Sequence, residues 1–163
     1  MPLVTSIKIG VLADTHNFLD PKIPEWFAGV SHILHAGDIG RPGLLAELEQ
    51  VAPVTAVAGN TDDPAWRYAP AKTVALAGRK FFIQHIVRPS APGEDLQSRL
   101  ARERPDAVVF GHTHRRFCET VQGVLYFNPG YAGRPKAGVE RSVAILDCDE
   151  TGIRAEYLDL SIG

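Results

Sequence analysis

Cysteine is scarce: Cys118 and Cys148 are the only two thiols among 163 residues. They fall in separate predicted strands and have no metal-type spacing, so both are expected to be reduced, buried thiols of a cytosolic protein. Long apolar runs are also missing. No stretch approaches the roughly 20 consecutive apolar residues of a membrane helix. Met1 to Ala13 holds a single lysine, Lys8, and no apolar core followed by a small-residue cleavage site, so it is expected to form a strand rather than a secretory signal. Charge of one sign is absent as well: 17 basic and 19 acidic residues are interspersed for a net charge of -2. That balance leaves no footprint for duplex nucleic acid or a membrane surface, while a small phosphate ligand stays compatible with it. No internal repeat, low-complexity segment or linker interrupts the chain. With 45% hydrophobic residues at this length, one domain over residues 1–163 is the expectation.

What is present is a rhythm of short apolar runs, each closed by a polar residue. Ile7 to Ala13 reads as a strand buried on both faces and ends in Asp14-Thr15-His16. A short helix over Pro24 to Val30 follows, then a strand from Ile33 to Ala36 ending in Gly37-Asp38. Arg41 to Ala52 carries leucines at 44, 45 and 48 and Val51 at amphipathic spacing, with Pro42 in its first turn. Val54 to Ala58 ends in Gly59-Asn60, so strand, polar loop and helix repeat in the manner of a parallel sheet. Asp62 to Pro70 reads as an irregular loop. Thr73 to Leu76 and Lys80 to Gln84 form a predicted hairpin across Ala77-Gly78-Arg79, ending at His85. A helix from Asp95 to Arg104 leads into the run Ala107 to Phe110. Two further hairpins are expected, Phe117–Val121 with Val124–Phe127 across Gln122-Gly123, and Arg141–Cys148 with Ile153–Leu160.

The run Ala107 to Phe110 is followed directly by Gly111-His112-Thr113-His114. Side chains at i and i+2 of an extended segment share a side, so the two imidazoles are expected to converge as the strand opens, with Gly111 allowing the turn. Two histidines alone fit a hydrogen-bonded pair as well as a metal site. The other strand ends supply the partners: Asp14 and His16, Asp38, Asn60, and His85. Carboxyl ends of strands form the binding edge of α/β sheets, which makes these seven nitrogen and oxygen ligands candidates for one crevice. His32 and His35 stay outside the set, read as a surface residue and a packing or supporting residue.

In order and spacing, Asp14-x-His16, Gly37-Asp38, Gly59-Asn60-x-Asp62, His85 and Gly111-His112-x-His114 resemble the calcineurin-like metallophosphoesterase superfamily. The short length and Asn128-Pro129-Gly130 resemble its small bacterial and archaeal phosphodiesterase branch. The resemblance covers residues 7 to about 136. It implies an α/β fold in which a two-sheet β-sandwich is flanked by helices in four αββα layers. It also implies that Asp14, His16 and His114 bind one divalent ion, that Asn60, His85 and His112 bind a second, and that Asp38 bridges them. Asp38, Asn60 and His112 then stand at the catalytic centre of a phosphodiesterase whose metal-bridging hydroxide attacks phosphorus in line. Two dications, two carboxylates and one hydroxide leave that core at about +1, suited to a small phosphate ester. Manganese is favoured, with iron, nickel, cobalt or zinc also compatible with imidazole and carboxylate ligands. A homo-oligomer, dimer or tetramer, is implied by the same likeness.

The sequence departs from the pattern in places. Thr61 occupies the position where the protein-phosphatase branch has a histidine, and a hydroxyl is too weak an acid to protonate a leaving group, so unactivated alkyl esters are expected to react slowly. Ile86-Val87-Arg88 follows His85 where the family usually has glycine and often histidine, which leaves Arg88 as either a solvated loop residue or a phosphate contact. Tyr131 replaces the serine that usually follows Asn-Pro-Gly and is expected either to pack in the core or to lie over a bound base or aryl group, with Arg134 as a further substrate contact and Lys136 where arginine is common. Two other functions stay open: a phosphomonoesterase or nucleotide hydrolase using the same site, and a protein-interaction scaffold like the retromer subunit of this fold.

Overall fold

The computed structural model describes residues 6–161; residues 1 to 5 of the expected N-terminal strand segment lie outside them. In chain order the elements are β1 (Ile7–Leu12), α1 (Lys22–Trp26), β2 (His32–His35), α2 (Pro42–Glu49), β3 (Val54–Ala56), a 3₁₀ turn (Pro64–Trp66), β4 (Ala71–Leu76), β5 (Arg79–Gln84), α3 (Glu94–Glu103), β6 (Ala107–Val109), β7 (Arg116–Val121), β8 (Val124–Pro129), β9 (Ser142–Asp149) and β10 (Gly152–Asp159). They build two sheets, one in the order β10-β9-β1-β2-β3 and the other β4-β5-β6-β8-β7. Within the first, β1, β2 and β3 are parallel and the β9–β10 hairpin adds antiparallel to β1. Within the second, β5, β6 and β8 are parallel, with β4 and β7 antiparallel at the edges.

The strands are apolar on alternate residues in both directions, and the layers follow from that period of two. Ile9 and Val11 of β1, Phe81 and Ile83 of β5, Ala107 and Val109 of β6 and Leu146 of β9 meet between the sheets. The residues between them point outward: Leu12 joins Phe27, Leu44 and Leu48 beside α1 and α2, while Phe82 and Val108 join Leu96 and Leu100 of α3. Each sheet thus carries helices on its outer side, giving the four layers the likeness implied. An alanine in place of Phe81, fully buried between the sheets, would cost about 3–5 kcal/mol.

Turn chemistry places two hairpins in tight register. Leu76 pairs with Arg79 across Ala77 (φ 52°) and Gly78 (φ 74°), so Arg79 belongs to β5 and not to the turn as expected. Val121 pairs with Val124 across Gln122 (φ 49°) and Gly123 (φ 80°). Both turns need positive φ at both central positions, which matches the right-handed strand twist. The first helix is displaced: it covers Lys22–Trp26 rather than Pro24 to Val30, with Pro24 in the first turn, where no backbone donor is required. The second is shorter than expected, closing at Glu49, although the Ala52 amide still donates to the Leu48 carbonyl. Cys148 is buried as expected; Cys118, on β7 at the edge of its sheet, is exposed. Among the described residues, no helix is long and apolar enough to cross a membrane.

Candidate metal centre

All seven side chains singled out above stand just beyond the carboxyl ends of five parallel strands, three from one sheet and two from the other: Asp14 and His16 after β1, Asp38 after β2, Asn60 after β3, His85 after β5, and His112 and His114 after β6. The loops are stitched to one another by backbone hydrogen bonds. The Asp14 amide donates to the Gly37 carbonyl at 3.0 Å, the His16 amide to the Asp38 carbonyl at 2.9 Å, and the Gly111 amide to the His85 carbonyl at 3.0 Å. Between the sheets, the His112 amide donates to Asp14 Oδ2 at 3.1 Å. Five of the seven, Asp14, His16, Asp38, His112 and His114, have positive φ, a sparsely populated region for residues with a Cβ. Strain concentrated in these loops is held by the cross-loop hydrogen bonds.

The reasons for convergence differ from those inferred from the strand pattern. His112 (φ 74°) and His114 (φ 62°) lie beyond the end of β6 in left-handed backbone, so their rings do not share a side by strand alternation. His114 faces Asp14 and His16, with Nε2 3.5 Å from Asp14 Oδ1. His112 faces the other way: its Nδ1 is 3.1 Å from Asn60 Oδ1, and its ring meets His85 edge-on at 5.3 Å. Gly111 is not at positive φ either. A Cβ there would come within 2.9 Å of Ala13 Cβ and Asp14 Oδ2, so this glycine permits close approach of the two sheets' loops.

Two overlapping sets of ligand atoms result, Asp14 with His16 and His114, and Asp14 with Asp38 and His85, each within 4.8 Å of one another. Asp38 Oδ2 stands between them, 3.7 Å from His16 Nε2 and 3.2 Å from His85 Nε2. Asp38 and His85 are oriented from behind. Asp38 Oδ1 accepts the Thr61 amide at 2.9 Å, which leaves Oδ2 free. His85 Nδ1 donates to the Ala36 carbonyl at 2.7 Å, which leaves Nε2 as the ring's acceptor. Asp14 Oδ1 and His85 Nε2 are both buried without a hydrogen-bond partner. Buried polar atoms are nearly always satisfied. A carboxylate oxygen and an imidazole nitrogen left open toward the same point fit a divalent cation.

Burial opposes ionisation of the Asp38 carboxyl, but the His85 ring and the Thr61 amide outweigh it and hold the carboxyl well below the usual carboxylate range. The same burial opposes a charge on His85, and the Asp38 and Asp14 carboxylates outweigh it, raising its pKa. His35, by contrast, is fully buried and pushed down to about 3 by desolvation, with the neighbouring His85 acting in the same direction. It is therefore neutral, and it is tied to Thr15 Oγ1 at 2.9 Å while Nδ1 accepts the Gly37 amide at 3.2 Å. Its expected supporting place is where it stands. His32, expected at the surface, is half-buried and 2.7 Å from Thr55 Oγ1.

Asp62 and Asn128 organise the loops, and the sequence had assigned neither of them a role. The Asp62 carboxylate accepts the amides of Ile39 at 3.1 Å, Gly40 at 3.0 Å and Gly59 at 2.8 Å, clamping the loop after β3 to the loop after β2. Asn128 Nδ2 donates to the Gly111 carbonyl at 3.2 Å and to Thr113 Oγ1 at 3.1 Å, bracing the two-histidine loop from β8. The place of Asp62 two residues after Asn60, within the stretch that carries the family resemblance, was the signal for the first. The expected substrate contacts divide. Arg88 is exposed and shares a cavity with Thr113, next to His112 and His114. Arg134 lies with its guanidinium 4.7 Å over the Phe18 ring, beyond His16. Tyr131 is only 5% exposed; its hydroxyl donates to the Arg134 carbonyl at 2.9 Å, and its ring packs 4.7 Å from that of His114. Its hydroxyl is occupied and its ring backs a histidine, so of the two readings the sequence left open, packing and contact with a bound base, the packing one is what the side chain does here.

Two five-stranded mixed sheets with helices outside, and a cradle of imidazole and carboxylate groups at their joined strand ends, define a metallophosphoesterase-like protein. Residues 7–151 match the calcineurin-like phosphoesterase superfamily domain, and the chain belongs to that family of phosphoric ester hydrolases. It is 31% identical over 157 residues to a probable metallophosphoesterase of Methanothermobacter thermautotrophicus, covering 92% of this chain and 91% of that protein. A solved structure described as a novel archaeal phosphodiesterase superposes with a TM-score of 0.77 at 29% identity, over 94% of this chain and 100% of that one. Vps29 of Entamoeba histolytica, solved in complex with zinc, shares the fold with a TM-score of 0.70 at 18% identity, over 94% of this chain and 99% of that one.

Proposed function

We propose that this chain is a single-domain cytoplasmic phosphodiesterase that depends on two divalent ions, held by Asp14, His16 and His114 on one side and by Asn60, His85 and His112 on the other, with Asp38 between them. The observation that carries this reading is the pair of buried, unpartnered atoms, Asp14 Oδ1 and His85 Nε2, opening toward the Asp38 oxygen that faces both histidine sets. Two such ions would supply a nucleophile from water at neutral pH and neutralise the phosphoryl oxygens. The chain's own residues do the rest. The Thr61 amide and the Ala36 carbonyl keep Asp38 and His85 oriented, and the Asp62 clamp holds the loops that carry Asp38 and Asn60. Thr61 is exposed and offers only a hydroxyl beside the site, so the leaving group departs without a strong acid from that position. Substrates with good leaving groups are favoured for that reason. Ligands without thiolate suit manganese, the metal we favour. Likeness to archaeal phosphodiesterases supports diester over monoester chemistry.

The test compares bis-p-nitrophenyl phosphate with p-nitrophenyl phosphate, using protein stripped by chelator and resupplied separately with manganese, nickel and zinc. Metal-restored hydrolysis, faster on the diester, is expected, and Asp38→Asn should abolish it, whereas an unchanged rate would overturn the two-metal assignment. Faster monoester hydrolysis would instead favour a phosphomonoesterase or nucleotide hydrolase. Inactivity of folded, metal-loaded protein would favour a binding role, the reading to which the Vps29 fold likeness points.

A further inference from the structure

Beside the two-histidine loop, a cavity of about 370 Å³ opens between that loop and the segment after β5. Three guanidinium-bearing residues line it, Arg88, Arg115 and Arg116, and none of its lining residues is acidic. In a chain whose net charge is -2 with its charges interspersed, this cavity gathers three cations; the acids that share adjoining cavities with them, Asp95 with Arg88 and Glu140 with Arg115 and Arg116, form no ion pair with them among the described residues. Surface arginines normally relax by pairing with acids; here Arg88 and Arg115 have no hydrogen bond or ion pair through their guanidinium groups among the described residues. The third is fixed. Arg116 Nε donates to Ser142 Oγ at 3.2 Å, and its guanidinium sits 4.8 Å over the Tyr157 ring.

The cavity's position relative to the metal centre is set by short, braced chain. Thr113 lines it and lies between His112 and His114, and Arg115 follows His114 directly. That loop cannot swing freely, because Thr113 Oγ1 accepts both the Arg115 amide at 3.3 Å and the Asn128 side-chain amide at 3.1 Å. The floor is apolar and aromatic: Phe110 is buried, and its ring lies 5.8 Å from that of Phe117. A planar fork of donors binds phosphate oxygens two at a time, and a phosphate monoester brings a charge of about -1.5 to -2. One phosphodiester group, with a single charge engaged by the metal centre, leaves these guanidiniums unused.

Resting on the phosphodiesterase reading above, we infer that Arg88 and Arg115 form a subsite for a second phosphate, so that the preferred substrates are phosphodiesters carrying a phosphate monoester elsewhere in the molecule. The volume, at the lower end of the roughly 300–1,000 Å³ of small-molecule sites, suits one phosphate and the ring bearing it. Two sources share this chemistry, nucleotides and phosphorylated polyol diesters.

The experiment pairs substrates that differ only by that phosphate. Thymidine 5′-(p-nitrophenyl phosphate) is compared with its 3′-phosphorylated form, and glycerophosphoinositol with glycerophosphoinositol 4-phosphate, using the manganese-loaded full chain. We expect kcat/KM to be about tenfold or more higher for the phosphorylated member of at least one pair, and the pair that shows it identifies the source. In Arg88→Met/Arg115→Met the ratio falls to near one, and in Arg88→Lys/Arg115→Lys part of it returns, which loss of packing alone would not produce. A ratio near one in both wild-type pairs, with bis-p-nitrophenyl phosphate hydrolysed normally, overturns the subsite and leaves the phosphodiesterase standing. A wild-type preference that survives the double methionine variant also overturns it. Failure to hydrolyse bis-p-nitrophenyl phosphate with any metal removes both.

Discussion

Asp62 accepts three backbone amides, from Ile39, Gly40 and Gly59, and so sets where the Asp38 and Asn60 loops stand without touching either side chain's inward atoms. Hydrogen bonds to a charged acceptor are worth about 1.5–3 kcal/mol each and are not additive in one cluster. Asp62→Ala is therefore expected to destabilise the fold by about 3 kcal/mol in a urea titration. Manganese affinity, read by calorimetry, should weaken about 10- to 100-fold, because residues behind metal ligands act at that level. Asp62→Asn keeps an acceptor oxygen and should fall between the two. Unchanged affinity in the alanine variant would show that the loops hold themselves. The candidate ligands were legible because each is a donor atom at the end of an apolar run; Asp62 was not, because an aspartate in a loop looks the same whether it clamps three amides or faces water.

At the scale of elements, the loops after β2 and β3 approach so closely that a Cβ on Gly59 would lie 2.1 Å from both the Asp38 amide nitrogen and Oδ1. Backbone cannot yield there, so Gly59→Ala should displace Asp38 and remove most phosphodiesterase activity while circular dichroism stays native. Gly78→Ala is the contrast. It sits at φ 74° in an open hairpin turn with nothing within 4 Å, so it should cost only about 1 kcal/mol and leave activity intact. Another tie links Asp20, two residues before α1, to the head of β9 and the end of β10. Arg141, buried, donates to Asp20 Oδ2 at 2.8 Å, to the Gly133 carbonyl at 2.7 Å and to the Leu160 carbonyl at 3.4 Å. Burial works against the Asp20 charge, yet the Lys22 amide and Arg141 lower its pKa on balance. A carboxyl lowered by folding contributes stability that is complete above its unfolded value near 3.8 and is lost as pH falls through its lower folded value. Asp20→Asn should accordingly lower stability at neutral pH and flatten the loss below about pH 4, as followed by thermal melts across pH.

For the whole molecule, the metal centre joins the two sheets: β1, β2 and β3 of one and β5 and β6 of the other each deliver a ligand candidate. An ion bound there adds stability only to the folded chain. At a free metal concentration about a hundredfold above Kd the gain is about 2.7 kcal/mol, or about 5–10 °C in Tm for a chain of this size. Manganese or zinc added to chelator-treated protein should raise the melting temperature by that amount, and Asp14→Ala should abolish the rise. A full shift in that variant would move the ion elsewhere.

The sequence by itself determined the order of strands and helices, the burial of β1 on both faces, the places of the two hairpins though not that Arg79 belongs to β5, and the identity of the donor atoms at the strand ends. These follow from local rules, the period of two along strands and the positive φ that Gly78 and Gly123 supply. Tertiary structure alone decided the rest. It turned His112 toward Asn60 and His114 toward Asp14 through left-handed backbone, placed Tyr131 behind a histidine, left Cys118 on an open edge, and gathered Arg88, Arg115 and Arg116 around one cavity. Direction and company depend on which loops meet across two sheets, and pairing over that distance in sequence leaves no period for a local pattern to carry.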